Sequence, residues 1–313
     1  MRTMKAVRFH EFGGPEVLVY EDAPCPEPGA GEILVKVHAA GVNPVDWKVR
    51  AGMLTRLFAH TLPLIPGWDF SGVVEAVGAG VAGFKEGDEV YARPDLTRNG
   101  AYAEYIAVRA SEVAIKPKTI DHVMAASIPL AALTAWQVLF DVAQIEPGQK
   151  VLIHAAAGGV GVFAVQLAKM KGAYVIGTAS QRNHEFLKEL GADELIDYNT
   201  TRFEDAVQGV DVVFDMMAGD TQQRSWQVLK KGGILVTIVG RPSKEEAAAH
   251  PEVRPAWVFV QPNAPELAEI AALVDSGKLR LVVDMVLPLM EARRAHELIA
   301  TEHTRGKIVL RVV

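Results

Sequence analysis

Residues 150–180 read KVLIHAAAGGVGVFAVQLAKMKGAYVIGTAS, with a run of small residues between two apolar stretches. Ala156, Gly158 and Gly161 fall on the dinucleotide fingerprint G-x-G-x-x-G, with alanine at the first glycine position. Each small residue has a physical task there. The chain through Ala156, Ala157, Gly158, Gly159 and Val160 must turn tightly, Gly158 must admit a pyrophosphate, and Gly161 must let the next helix approach the strand. The helix start then offers N–H groups and a partial positive charge to phosphate. The alternative is a tight strand-to-helix turn that binds nothing. The strand, helix and second strand around the motif favour the dinucleotide. An NAD site calls for an acid about 20 residues on, at the ribose hydroxyl. Here the second strand leads into Thr178-Ala179-Ser180-Gln181-Arg182-Asn183, with no acid. The Ser180 hydroxyl and the Arg182 guanidinium suit a 2′-phosphate, so the expected cofactor is NADPH. The competing reading makes Arg182 a solvated residue at a helix start.

The fingerprint needs a parallel sheet to carry it, and the middle of the chain supplies the pattern. Strand-like KVLIHA, YVIGTA, ELIDY, VDVVFDMM and ILVTIVG alternate with helical segments. That alternation predicts a doubly wound sheet covered on both faces. The helical reading of 221–233 (TQQRSWQVLKKGG) and a strand at 257–260 (WVFV) belong to the same pattern. The first third is different. EILVKVHAAGV (32–42), FSGVVEAVGAGV (70–81), DEVYA (88–92) and AYAEYIAV (101–108) are short strands between Gly and Pro turns, predicting an antiparallel, partly barrel-like unit. A helical segment from residue 121 is broken once at Pro129. The tail reads strand, helix, strand, its last strand expected to rejoin the N-terminal unit. The expected division is 1–124 with 264–313, and 125–263.

At 313 residues two domains are expected. The net charge of −6, without long charged runs, speaks against nucleic acid or an anionic membrane as the main partner. The single cysteine, Cys25, excludes an internal disulfide and any multi-cysteine metal site. The start MRTMKAVRFH has no apolar signal core, and no window reaches a membrane-spanning length. A cytoplasmic setting is expected.

Taken together, HAAAGGVGVFAVQLAK, GVNPVD, GWDFSGVV and the terminal GKIVL resemble the quinone oxidoreductase branch of the medium-chain dehydrogenase/reductase superfamily. The similarity is to its zinc-free, zeta-crystallin-like quinone, enone and alkenal reductases and covers essentially the full chain. It implies a GroES-like catalytic domain, a Rossmann domain, NADPH in the cleft, and a homodimer. It also implies that Tyr198 joins Ser180 and Arg182 around the 2′-phosphate, and that Thr134, Val239 and Gly240 lie on the nicotinamide side. Some relatives add a C-terminal arginine to the phosphate site; the aligned position here is Glu302.

Zinc relatives hold their metal with a Cys and a His-Glu pair, and those positions here read Asn43 and Trp68-Asp69. With one cysteine and no ligand motif among the nine histidines, no metal site is expected. His10, His38, His60 and His154 read as surface or packed residues. Without a Lewis acid, an electrophilic acceptor such as a quinone or enone is the expected small-molecule substrate. It needs orientation, a dry site and a donor near its oxygen. Candidates are Lys48 as a cation facing the enolate, Asn43 as a hydrogen-bond donor, and Asp46 orienting either. Each has a plain alternative: a turn at Asn43-Pro44, a helix cap at Asp46, a solvated Lys48. Trp47, Phe58, Trp68 and Trp257 are pocket or core; Tyr102 reads as structural. Rival functions are an enoyl-thioester reductase, a non-catalytic NADPH-binding protein, and a zinc alcohol dehydrogenase.

Overall fold

In this computed structural model residues 2–302 and 304–313 are described. In chain order the strands are β1 (Thr3–Arg8), β2 (Val19–Pro24), β3 (Glu32–Val42), β4 (Phe70–Val77), β5 (Glu89–Ala92), β6 (Tyr105–Arg109), β7 (Val113–Ile115), β8 (Lys150–Ile153), β9 (Tyr174–Thr178), β10 (Glu194–Ile196), β11 (Val210–Asp215), β12 (Leu229–Thr237), β13 (Arg254–Trp257), β14 (Val283–Pro288) and β15 (Lys307–Arg311). The helices are α1 (Pro44–Arg50), α2 (His122–Ala126), α3 (Pro129–Trp136), α4 (Gly161–Met170), α5 (His184–Glu189), α6 (Phe203–Ala206), α7 (Gly219–Ser225), α8 (Lys244–Ala249), α9 (Ala264–Asp275) and α10 (Ala292–Ile299). They form two compact units, residues 1–133 with 261–313, and residues 134–260. The chain changes units inside α3 and after Val260, rather than at 124/125 and 263/264. α2 packs on β3, β4 and β15, which keeps it with the first unit. Sequence rhythm marks where helices begin; packing decides which sheet they serve.

The first unit is built on a sheet of order β14-β15-β3-β4-β5-β7, with β6 also pairing β3. Apart from the parallel β14–β15 pair, its ladders are antiparallel. β15, the end of the chain, lies against β3 with Ile308 opposite Val42. On the other side of β3, Ala40 is opposite Phe70, and the Gly41 N–H donates to the Asp69 carbonyl at 3.0 Å. Gly41 has no room for a side chain: a Cβ there would lie 2.3 Å from the Ala126 carbonyl oxygen and 2.9 Å from the Asp69 Cβ. α9 is tied to this unit by the Tyr91 hydroxyl, which donates to the Leu267 carbonyl at 2.5 Å.

The second unit carries a parallel sheet of order β10-β9-β8-β11-β12-β13. Counted from β8, this is the 3-2-1-4-5-6 order of a dinucleotide-binding fold, with the switch between β8 and β11. Leu152, Ile176, Val213, Leu235, Phe203 and Trp226 share one buried cluster. Each is worth about 1.5–3 kcal/mol by its apolar burial. Two elements differ from the sequence reading. The helix expected over 221–233 ends at Ser225, and β12 already begins at Leu229, which pairs with Val210 before the register shifts to Ile234 opposite Val212. Lys-Lys-Gly-Gly imitates a helix end, but the chain is in a strand irregularity with Gly232 at φ +81. The strand expected at 257–260 is β13 and ends at Trp257. Its Pro255, a residue that argues against a central strand, is accommodated because β13 is the last strand of the sheet.

Candidate active site

In the second unit the expected cofactor residues from Ala156 to Gly240 follow the carboxyl ends of strands of one sheet. β8 runs into the turn Ala155–Val160, and α4 starts at Gly161. Ala155 holds φ +49, an uncommon left-handed conformation for a residue with a side chain. A Cβ on Gly161 would lie 2.4 Å from the Ala155 carbonyl oxygen, so only glycine lets α4 start this close to the turn. Ala156, buried at the first fingerprint position, donates its N–H to the Thr178 carbonyl at 3.1 Å. A Cβ added to Gly177 would meet the Ala156 methyl at 2.9 Å, so glycine on β9 gives that methyl its space. Val160 leads into α4 without a side-chain cap. The helix start is thus suited to an anion.

Ser180 and Arg182 follow β9, exposed Tyr198 follows β10, and Val239 and Gly240 follow β12. The Ser180 hydroxyl accepts from Asn183 Nδ2 at 3.2 Å. Gly240 offers its carbonyl to Gln222 Nε2 at 3.0 Å, and the same amide nitrogen reaches the buried Asp215 carboxylate at 2.8 Å. Asp215 also accepts from the Met217 and Ala218 N–H groups, fixing the turn after β11, where Ala218 sits at φ 59 and ψ −165. Thr134 is buried within α3. His154, read as surface or packed, is buried between β8, β9 and α7. Its ring nitrogens lie 3.1 Å from Thr178 Oγ1 and 2.9 Å from Ser225 Oγ, and burial lowers its pKa to about 4. The backbone turn, the uncapped helix start and the polar groups around it fit a nicotinamide dinucleotide.

In the first unit, GVNPVD, GWDF and GKIVL converge. Asn43 precedes α1, Asp69 precedes β4 and Lys307 begins β15. All are buried. Lys307 Nζ donates to Asn43 Oδ1 and, at 3.2 Å, to Asp69 Oδ2. Asn43 Nδ2 donates to Asp69 Oδ2 at 2.8 Å, and the Leu130 N–H donates to Asp69 Oδ1 at 2.6 Å. Burial pushes the Asp69 carboxyl up, against the opposing pull of the Lys307 ammonium. Asp46 caps the turn, accepting from the Asn43 N–H at 2.8 Å and from the Tyr102 hydroxyl at 3.0 Å. Its other oxygen has no partner, and burial raises its pKa to about 7. Tyr102, held protonated by burial and by Asp46, props this cap.

Lys48 is half-buried, its Nζ 5.7 Å from the Trp47 ring centroid; burial lowers its pKa while the charge of Glu302 raises it. Glu302 therefore acts on the first unit. Of the four aromatic candidates, Trp68 is core: fully buried, with Nε1 donating to the Arg98 carbonyl at 3.1 Å. Trp257 lies in the second unit, under Arg241, whose guanidinium carbon is 4.4 Å from its ring centroid. Sequence reasoning missed Lys307 and gave Asp69 no role beyond replacing a zinc ligand. The signal was present in the terminal GKIVL motif, but only the β15–β3 register brings it to Asn43.

These residues do not fit a zinc ion. The donor set is one carboxamide and one carboxylate, and an ammonium already holds the carboxylate; zinc asks for three or four thiolate, imidazole or carboxylate donors. No group of three or more His, Cys, Asp or Glu side chains is gathered for a metal among the described residues. No helix of the described residues is long and apolar enough to cross a membrane.

Residues 29–118 match the alcohol dehydrogenase GroES-like domain, and residues 190–310 match the zinc-binding dehydrogenase family. The human mitochondrial NAD(P)H oxidoreductase RTN4IP1 is 35% identical over 324 residues, covering 90% of this chain and 82% of that protein. The quinone oxidoreductase structure from Coxiella burnetii superposes with a TM-score of 0.93 at 39% identity, covering 100% of both chains. Escherichia coli quinone oxidoreductase, solved in complex with NADPH, gives 0.90 at 30% identity, covering 98% of this chain and 100% of that one. With the Rossmann strand order and the GroES-like unit already described, these similarities establish that the chain belongs to the quinone oxidoreductase family of the medium-chain dehydrogenase/reductase superfamily, as an NAD(P)H oxidoreductase.

Proposed function

We propose that the chain is an NADPH-dependent, zinc-independent reductase of a small quinone or of the C=C bond of an α,β-unsaturated carbonyl. The observation that supports this most is the buried Lys307–Asn43–Asp69 cluster, in which Lys307 holds Asn43 and Asp69, two residues that the family resemblance aligns with zinc-ligand positions. Alcohol oxidation leans on a Lewis acid to stabilise charge on oxygen. An electron-poor acceptor leans on orientation and on a hydrogen-bond donor near the oxygen that gains charge. Bound NADPH supplies the hydride. In this reading Asn43 donates an amide N–H, and half-buried Lys48 presents its ammonium to the developing enolate or quinol oxygen. Asp46 acts at one remove, by holding the backbone of Asn43.

The preference for NADPH rests on the carboxyl end of β9, where Ser180 and Arg182 stand in place of an acid, with Tyr198 after β10. The NADPH complex of the Escherichia coli relative supports the same choice. Thr134, Val239 and Gly240 belong to the nicotinamide side. One acid lies nearby: Asp197 accepts the Asn199 N–H at 3.0 Å, and its Nδ2 at 2.8 Å. Its carboxylate is engaged by its own turn. The test is oxidation of NADPH, followed by loss of its near-ultraviolet absorbance, with EDTA present and a small quinone or a short-chain enone as acceptor. Turnover of either is the expected result, and the ratio selects the acceptor class. NADPH binding without turnover of any acceptor overturns the proposal.

A further inference from the structure

We infer that Lys307 and Asp69 are positioning residues that lock the side-chain amide of Asn43 in one orientation and leave one of its N–H groups for the oxygen of the acceptor. The inference rests on the reductase reading for its acceptor; its geometric half stands on the cluster alone.

The backbone sets the geometry first. β15 and β3 pair with Ile308 opposite Val42, which carries Lys307 to the level of Asn43. β3 and β4 pair with Ala40 opposite Phe70, and the Gly41–Asp69 hydrogen bond continues that ladder. Three neighbouring strand ends therefore deliver an ammonium, an amide and a carboxylate in a row. The side chains of Lys307 and Asp69 are 3% and 0% exposed, so water does not compete for them.

An asparagine amide can rotate half a turn and exchange its oxygen and nitrogen at little intrinsic cost. Here it cannot. The oxygen accepts from Lys307 and one N–H donates to Asp69. The reversed amide would set N–H groups against the ammonium and an oxygen against the carboxylate. Both hydrogen bonds are charge-assisted, the stronger class. Asn43 is buried and its Nδ2 has one hydrogen-bond partner, Asp69, among the described residues, so its second N–H is a buried donor without a protein partner. Such a donor is costly to keep unless a ligand uses it. A plain salt bridge between β15 and β4 would not need Lys307 to reach the amide oxygen as well.

The test uses two charge-neutral double variants of the full chain. Lys307→Gln with Asp69→Asn keeps polar groups on both sides of the amide. Lys307→Met with Asp69→Leu keeps similar volume and removes them. Neither strands a single buried charge, and buried ion pairs replaced by apolar residues commonly fold. The apolar pair is expected to lose about 10²-fold in kcat, the scale of losing one oriented donor, while KM for NADPH stays within a few-fold. The polar pair is expected to recover about tenfold of that loss. In parallel, proton–nitrogen correlation spectra follow the Asn43 side-chain amide, assigned by its disappearance in Asn43→Ala. In the wild type and the polar pair the two N–H signals are expected far from free-amide shifts and protected from solvent exchange, and in the apolar pair they are expected to move toward free-amide shifts and exchange faster. Equal kcat in the two folded double variants overturns the inference, as does an unchanged amide spectrum in the apolar pair. A wild type that turns over no acceptor but shows the expected amide behaviour sinks the reductase reading and leaves the positioning standing.

Discussion

At the scale of the residue, two positions make separable predictions. Arg182→Ala removes a guanidinium from the proposed 2′-phosphate site, and hydrogen bonds to a charged group are worth roughly ten- to a hundredfold in affinity. KM for NADPH is expected to rise on that scale while KM for NADH barely moves; steady-state kinetics with both cofactors reads it, and an equal rise in both removes Arg182 from the phosphate. Asp46 predicts a pH effect. Burial first, and then the nearby Asp69 charge, raise its carboxyl from the ordinary 3.8 to about 7. The folded protein therefore keeps a proton that the unfolded chain has released, and its stabilisation is complete below the unfolded pKa and lost as pH rises through about 7. Urea midpoints of the wild type are expected to fall across this window, with a flatter profile in Asp46→Asn. Identical slopes would place the titration on another group.

The turn between β8 and α4 concentrates the element-scale argument. Gly161→Ala places a Cβ against backbone oxygen at 2.4 and 2.5 Å, which no side-chain rotation relieves. The turn or the helix has to move. A loss of roughly 1–3 kcal/mol in stability is expected, as for overpacking, together with at least tenfold weaker NADPH binding. Thermal unfolding and fluorescence titration check the two parts, and unchanged cofactor affinity would show that the helix start does not hold the phosphates. β12 and β13 carry the opposite lesson. Their sequences imitate a helix end and a later strand, and their real limits follow from pairing with β11 and with β12.

For the whole molecule, the sheet of the second unit ends at β13, four residues long with Pro255 within it. An unpaired strand edge is a ready surface for a second copy, and short strands bearing proline are one way proteins blunt it. We propose a homodimer in which β13 edges meet about a two-fold axis. Size-exclusion with light scattering is expected to give twice the 33.9 kDa chain mass. A monomer at micromolar concentration removes the proposal. A dimer unchanged by a charged residue at Ala256 moves the interface elsewhere.

The sequence by itself determined the two architectures and pointed to one sheet end as the expected cofactor edge. Periodicity and turn residues are local quantities, so β3, β8, α4, β9 and the turn Ala156–Gly161 were legible before any packing was known. The glycine spacing carries its own reason, because backbone clearance depends on neighbours only a few positions away. The tertiary structure alone decided three things. It assigned α2 to the first unit, through contacts with strands far along the chain. It made Trp68 core and Asp46 and Tyr102 the support of Asn43. It joined Lys307 to residues 264 and 238 positions earlier in the chain. No local pattern encodes a side chain whose partners are fixed by the register between the last strand and the third. That register follows from burying both strands in one sheet, a property of the folded chain as a whole.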